Sequence, residues 1–167
     1  MTMKTLKDLY VRTLLAMHAA EAHQRRILPE MVRAVSSAEL QSIFDDHLER
    51  IRQHLVRIEA ILSELGIHCD DAGYEDRGIA GLLDECLSMV QDDADPHVKD
   101  AALISLALRV SHDKLAEYEC ARGWATALTL LQAVSDFEAM MDEERRLIAS
   151  LADLGARINV LATVPGK

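Results

Sequence analysis

The sequence predicts an all-α fold, an antiparallel four-helix bundle with one long crossover that carries a short extra helix. Apolar residues recur at three- and four-residue spacing through four long segments, which is the periodicity of amphipathic helices. Only 7 glycines and 3 prolines interrupt the 167 residues, and aromatic residues make up 4% of the chain. Two short turns and one connection of roughly 30 residues separate the segments, as expected for a bundle with one crossover.

The first two predicted helices form an antiparallel hairpin. Thr5 is a suitable N-cap for the first helix, which ends near Val35. Pro29 falls inside this helix and predicts a kink or a brief break there. The short link at Ala34–Ser37 forces the second helix to return beside the first.

Capping residues mark both ends of the second helix. Ser36 and Glu39 have the spacing of a capping box, which predicts the helix start. Gly66 stands where helices commonly end in a left-handed residue. The polar connection that follows contains a predicted short helix at Ile79–Val90, which completes the crossover.

The second hairpin starts at Asp95-Pro96, an N-cap acceptor followed by proline at the first helical position. The third long helix is predicted to run to about Trp124. The turn to the fourth helix is placed near Leu128–Leu130 by symmetry and length, with Thr129 as a modest N-cap. Residues 1–162 are therefore expected to form one bundle domain, and residues 163–167 a flexible tail.

Charge and composition exclude several classes of partner. The formal net charge of −10 gives no basic surface for nucleic acid or for an anionic membrane. No apolar run approaches the roughly 20 residues that span a bilayer. Three cysteines, widely spaced and odd in number, argue against a disulfide framework and suggest free thiols in the cytoplasm; they are Cys69, Cys86 and Cys120.

Four positions are expected to lie at similar heights inside the bundle. Glu21 and Glu49 are nearly equidistant from the first turn, and the second turn lies about midway between Ser111-His112 and Glu144. Four-helix bundles build two-metal carboxylate sites at such a level. Glu21, Glu49, Glu144 and His112 are therefore the candidate metal ligands.

The ligand pattern is incomplete. A di-metal bundle requires one Glu from each of two helices and Glu-x-x-His from each of the other two. Here Glu49 is followed three positions later by Arg52, and Glu144 by Leu147. A guanidinium can sit among carboxylates as a metal would, so we expect Arg52 to neutralise some of Glu49, Glu21 and Glu144.

Several short stretches, taken in order, are similar to one known family. In order and spacing they resemble the YciF-type bacterial ferritin-like proteins, which are associated with stress responses, and the match is almost gapless from Met1 to about Asn159. The stretches are Met3–Leu9, Ala20-Glu21, Leu28–Met31, His47–Glu49, Gly81–Glu85, Asp100–Ile104, Val110 with His112, Asp142–Glu144 and Leu151–Leu154.

The resemblance implies a ferritin-like, rubrerythrin-like bundle that forms a homodimer, with an acidic centre at Glu21, Glu49 and Glu144. Three departures concern ligands. Members often have Glu or His at the position of Arg52, Glu-His-Tyr-Glu at that of Ser111–Lys114, and an acidic residue at that of Ile148.

The leading expectation is a structural or stress-associated protein with a degenerate, metal-poor site and no cofactor. One alternative is an iron or manganese carboxylate protein, acting as an oxidase, peroxide scavenger or iron handler through the four candidate ligands. A second alternative is a helical interaction module whose binding surface is the face of Ile79–Val90. The incomplete ligand set argues against di-iron oxidase catalysis.

Overall fold

The computed structural model describes residues 3–69 and 77–163. Over these ranges the chain forms five helices and no strands: α1 (Leu6–Ala34), α2 (Ala38–Glu64), α3 (Arg77–Gln91), α4 (Pro96–Ala127) and α5 (Leu131–Leu161). The predicted all-α bundle with a short helix in the crossover is confirmed. Part of the crossover and residues 164–167 of the predicted tail lie outside the described residues.

Helix α1 begins at a capping box. Thr5 accepts a hydrogen bond from the backbone N–H of Asp8, whose carboxylate accepts one from the backbone N–H of Thr5. The helix continues through Pro29, so the brief break that a proline allows does not occur. Proline removes one backbone hydrogen bond, and the burial of Leu28 and Met31 beside it keeps this turn of the helix in place.

The first turn differs from the prediction by one residue. The N-cap of α2 is Ser37, whose side chain accepts from the N–H of Leu40, so the predicted capping role of Ser36 is wrong. Ser36 instead donates through its N–H and its hydroxyl to Asp100, a fully buried carboxylate at the start of α4. A residue distant in sequence therefore decides which serine caps the helix.

Helices α2 and α4 end in the same way. Gly66 has a φ of +74°, as predicted, and Ile67 donates its N–H to the carbonyl of Leu62. Thr129 has a φ of 58° and occupies the equivalent position after α4. The prediction that Thr129 caps α5 is wrong, because the N-cap is Leu130 and it makes no side-chain capping bond.

The helices pack as two hairpins with α3 laid across them. Helix α1 packs against α2 and α4 against α5, while α2 also contacts α5 and α1 also contacts α4. Helix α3 packs on α1 and α4. In the described part of the chain, no helix has both the length and the apolar character that crossing a bilayer requires.

The core consists of two apolar clusters with polar residues between them. One cluster lies at the first turn and under α3, and includes Phe44, Leu83 and Leu151. The other lies toward the opposite end and includes Tyr10 and Phe137. Most of the buried polar side chains lie near the middle of the four long helices and form a layer across the bundle, whereas Asp100 lies at the first turn.

Candidate functional site

The middle of the bundle contains a set of buried polar side chains, here called the buried polar cluster. Each member follows or precedes apolar core residues by three or four positions, so helical periodicity turns it inward. All of them are 4% exposed or less. The cluster consists of Glu21 and Gln24 from α1, His47 and His54 from α2, Lys114 and Tyr118 from α4, and Glu144 from α5.

Lys114 lies at the centre of the cluster. Its Nζ is 2.8 Å from Oε1 of Glu144, 3.0 Å from Oε1 of Glu21 and 3.2 Å from Oε1 of Gln24. An ammonium has three N–H donors, and here three side chains from two helices accept them. The amine is therefore fully hydrogen-bonded although the residue is 3% exposed.

His54 connects the cluster to the edge of the bundle. Its Nδ1 lies 3.3 Å from Oε1 of Glu21, and its Nε2 lies 2.8 Å from Oε2 of Glu143. Carboxylates only accept hydrogen bonds, so both ring nitrogens donate and the ring is an imidazolium. Arg57 also binds Glu143, at 3.1 Å, and thereby balances the charge of that carboxylate.

Tyr118 completes the environment of Glu21. Its hydroxyl donates to Oε1 of Glu21, the same oxygen that faces His54. The rings of Tyr118 and His54 meet edge to face, with centroids 5.9 Å apart. Burial, and then the charges of Glu21 and Glu144, raise the pKa of Tyr118 well above its usual value, so the phenol stays protonated.

His47 and Gln24 have a defined orientation. Because Lys114 can only donate, the Gln24 oxygen faces Lys114 and its amide NH2 faces His47. The Gln24 nitrogen is 3.2 Å from Nε2 of His47, so that ring nitrogen accepts. Burial lowers the pKa of His47 to about 4, which keeps the ring neutral at pH 7.

Opposite charges hold the ionised groups in their charged forms. Burial alone would raise the pKa of Glu21, but the Lys114 charge and then the bond to His54 bring it well below its usual value. The pKa of Glu144 is lowered, chiefly by Lys114 against the effect of burial. Burial opposes the charges of Lys114 and His54, yet the surrounding carboxylates raise the pKa of both groups. Two carboxylates and two cations therefore balance in the interior.

The structure brings two of the four predicted ligands together. Glu21 and Glu144 lie in the cluster, but Glu49 and His112 are exposed on the surface. Arg52 pairs with Glu49 at 2.9 Å on the surface, with 56% of its side chain exposed. The expected pairing of Arg52 with Glu49 is thus present, but Arg52 contributes nothing to the burial of Glu21 and Glu144.

Helical geometry explains why Glu49 and His112 point outward. Glu49 is two residues from each of the inward-facing His47 and Ile51, and two residues rotate a helix by about 200°. His112 is likewise two residues before Lys114. Both positions are at the expected height along the bundle but on the wrong face of their helices.

Sequence reasoning missed five members of the cluster, which are Gln24, His47, His54, Lys114 and Tyr118. The signal for the histidines was their spacing, since His47, Ile51, His54 and Ile58 recur at intervals of four, three and four. Lys114 lies four residues after the buried Val110 and four residues before the buried Tyr118, so it shares their inward face. A lysine at such a position is unusual, because a lysine is almost never fully buried unless its charge is paired.

Comparison with known proteins agrees with this fold. The family model described as "Domain of unknown function (DUF892)" matches residues 5–161. The chain belongs to the DUF892 family. It is 28% identical over 154 residues to Protein YciF of Escherichia coli K12, a match that covers 92% of each protein. The predicted resemblance to YciF-type proteins is confirmed.

Three solved structures share the architecture. The E. coli stress protein YciF matches with a TM-score of 0.87 and 27% identity, covering 93% of this chain and 98% of that one. YcfI from Rhodopseudomonas palustris matches with a TM-score of 0.83 and 26% identity, covering 89% of this chain and 94% of that one. It is described as "a putative structural protein". A ferritin-like diiron-carboxylate protein from Bacillus anthracis (TM-score 0.70, 15% identity, covering 91% and 99%) shares the fold, so the ferritin-like assignment is confirmed.

The buried polar cluster does not fit a di-metal centre. Such a centre needs inward carboxylates from all four helices, but α2 offers only His47 and His54 and α4 offers Lys114. The ammonium of Lys114 also lies between Glu21 and Glu144, where a bridging cation would have to be. In the described ranges, no three His, Cys, Asp or Glu side chains gather as a metal would require.

Proposed function

We propose that this chain is a structural, stress-associated member of the ferritin-like bundles that works without a di-metal centre. Its relatives support the structural and stress-associated role, because YciF is described as a stress protein and a structural role is proposed for YcfI. Thiols rather than disulfides at Cys69, Cys86 and Cys120 are compatible with the reducing bacterial cytoplasm, which is the location we propose.

The observation that carries this proposal is the ammonium of Lys114 between two buried carboxylates. In a metal-carrying bundle, the ion neutralises the inward carboxylates and holds the four helices at one level. Here Lys114 links α4 to α1 and α5, and His54 links α2 to α1 and α5. The protein therefore supplies its own cations, and the bundle closes without an external ion.

Metal analysis of untagged protein tests the proposal. The chain should be grown with excess iron and manganese, purified without a histidine tag and measured by elemental mass spectrometry. We expect far less than one ion of either metal per chain. About two iron or manganese ions per chain, retained after gel filtration, would overturn the proposal in favour of an oxidase, peroxide scavenger or iron-handling protein.

We further propose that the chain is a homodimer, as its resemblance to YciF-type proteins implies. Multi-angle light scattering at micromolar concentration should give twice the 18.6 kDa of one chain. A mass of one chain under those conditions would contradict the dimer and leave the metal-free proposal untouched.

A second candidate function, a helical interaction module, is favoured by an open groove between α3 and α4. The cavity of about 610 Å³ is lined by Leu82 from α3 and by Leu108, Arg109, His112 and Ala116 from α4, among others. A specific protein partner that is lost in a Leu82→Asp variant, but kept in an Asp84→Ala variant on the same helix, would support this role.

A further inference from the structure

We infer that the outer face of the first hairpin, formed by α1 and α2, is the surface through which two copies of this chain associate. The copies are related by a two-fold axis that runs parallel to the helices, midway between α1 and α2, so that α1 of one copy lies over α2 of the other. The inference rests on the homodimer proposed above and deepens it, because it names the face and the residues that meet there.

The exposed sides of α1 and α2 carry opposite charges. Of the exposed charged side chains, five of six on α1 are basic and six of seven on α2 are acidic. The basic character of α1 contrasts with the net charge of −10 of the whole chain. A contact that places α1 of each copy on α2 of the other therefore joins bases to acids twice.

Helical periodicity places Arg25 and Asp45 on this outer face. His18 on α1 pairs with Glu59 on α2 at 2.9 Å, which marks the seam between the two helices. Arg25 follows His18 by two helical turns, and Asp45 precedes Glu59 by about four turns, so each shares the side of its helix that borders the seam. Both side chains are exposed, and in the described chain neither forms an ion pair.

Contacts between α1 and α2 give the height of each residue in the hairpin. Gln24 meets His47 at 3.2 Å, so Arg25, one residue further, lies within about one residue of the height of Asp45. A two-fold axis parallel to the helices leaves every height unchanged. Arg25 of each copy therefore reaches Asp45 of the other, and the symmetry makes this contact twice.

The middle of the face is apolar. Val56 is 65% exposed and lies three residues before Glu59, on the same side of α2. Its height falls between the contacts of His54 with Glu21 and of Glu59 with His18, within about one turn of Ala22 on α1. Ala22 follows His18 by one turn and leaves room for a larger side chain. Val56 of each copy packs there on Ala22 of the other and is removed from water.

The other sides of the bundle are less suited to a second copy. Helix α3 packs on α1 and α4 and covers part of that side. Across the α2–α5 side, Arg57 pairs with Glu143 and Arg157 with Glu39, so opposite charges are already joined within one chain. On the α1–α2 face, Arg25 and Asp45 remain for a partner.

The size of the face meets the requirement of a stable dimer. Helices α1 and α2 have 29 and 27 residues. At a rise of about 1.5 Å per residue they are about 40 Å long, and two helices side by side are about 20 Å wide. The resulting area, on the order of 800 Å², equals the surface that each partner buries in a stable complex.

Val56→Arg tests the centre of the face. It places a charge against Ala22 and near Arg25 of the other copy, and we expect multi-angle light scattering at micromolar concentration to give the 18.6 kDa of one chain. The matched control is Val160→Arg, which changes a valine that is 68% exposed at the end of α5 and should leave the dimer intact. Circular dichroism should show wild-type helicity in both variants, because both valines are exposed.

A pair of charge reversals tests the contact between copies. Arg25→Asp and Asp45→Arg should each dimerise at least about tenfold more weakly than the wild type, because like charges then meet twice. Mixing the two variants restores opposite charges at both contacts, so mixed dimers should form about as tightly as the wild-type dimer. Native mass spectrometry separates the mixed dimer from the two homodimers.

The outcomes separate this inference from the proposed homodimer. A wild-type chain that is monomeric would overturn both. A dimeric wild type whose Val56→Arg variant is also dimeric would overturn the inference alone, as would a mixture of the charge variants that forms no mixed dimer. A monomeric Leu82→Asp variant beside a dimeric Val56→Arg variant would assign the interface to the groove between α3 and α4 instead.

Discussion

The Nζ of Lys114 lies 2.8 Å from Oε1 of Glu144, and the two side chains are 3% and 1% exposed. This ion pair joins the two helices of the second hairpin at the level where Glu21 enters from the first. Because water is excluded, neither charge can remain there without the other. The pair therefore contributes to the stability of the bundle, and in the function proposed above its ammonium stands in for a metal ion.

Replacing Lys114 by Met should destabilise the protein by about 3–5 kcal/mol, because it leaves Glu21 and Glu144 with an uncompensated charge. Chemical denaturation monitored by circular dichroism measures the change. The matched control on the same helix is Arg109→Met, which breaks an exposed pair with Glu85 and should cost at most about 1 kcal/mol. Equal losses in both variants would contradict the importance of the buried pair.

The free energy of unfolding should decrease as the pH is lowered from 6.5 to 4, because His47 must then be protonated in the unfolded chain. The folded pKa of His47 is about 4 and its unfolded value is 6.5, so the unfolded chain binds the extra proton in this window. Stability from this group is complete above pH 6.5 and is lost as the pH falls toward 4, to a total of about 3 kcal/mol. Unfolding free energies of the wild type and of His47→Gln over this range measure the effect, and parallel curves would rule it out.

The contribution of His54 to stability has the opposite pH dependence to that of His47. Its pKa is raised in the folded protein, so its contribution is present below the unfolded value and is lost as the pH rises through the folded one. NMR titration of the ring protons should give a pKa above that of a free histidine. Glu143→Gln removes one of its two carboxylate partners and should lower this pKa. An unchanged titration in Glu143→Gln would show that the bond to Glu143 does not hold the proton.

Thr129→Gly should stabilise the protein by about 1 kcal/mol. Thr129 has a φ of 58°, which a β-branched residue adopts only with strain, whereas glycine adopts it freely. The matched control is Thr126→Gly one turn earlier, inside α4, where glycine should cost about 0.5–1 kcal/mol. Thermal unfolding distinguishes the two signs, and a loss of stability at both positions would argue against the left-handed turn.

Asp100→Asn should destabilise the protein by about 2–3 kcal/mol. The carboxylate accepts hydrogen bonds from the N–H and hydroxyl of Ser36 and from the N–H of Ser37. In asparagine one of the two carboxylate oxygens is replaced by an NH2 group, which would face a donor and lose that hydrogen bond. Asp92→Asn, which removes an exposed carboxylate beyond α3, should change stability by less than about 0.5 kcal/mol. Similar denaturation midpoints for the two variants would contradict the role of Asp100.

Helical periodicity made most of the fold predictable from the sequence. The four long helices, the crossover helix and both turns lie within a few residues of their predicted positions. Capping was less predictable because tertiary contacts decide it. Asp100, 64 residues from Ser36 along the chain, determines the N-cap of α2. Thr129 carries no signal for a left-handed conformation, whereas Gly66 does.

The candidate site was predictable in height but only partly in composition. The distance of a residue from a turn sets its height in the bundle, and this placed Glu21 and Glu144 correctly. Which face a residue occupies depends on a rotation of about 100° per residue, and this excluded Glu49 and His112. Lys114 was missed because a lysine is expected at the surface unless its buried partners are already known.

An atomic-resolution crystal structure with anomalous data collected at the iron and manganese edges tests the central claim most directly. Crystals should be grown from untagged protein soaked with both metals. The account predicts Lys114 Nζ within hydrogen-bond distance of Glu21 and Glu144, with no anomalous peak in the cluster. An anomalous peak between the two carboxylates, with the lysine side chain displaced, would contradict it.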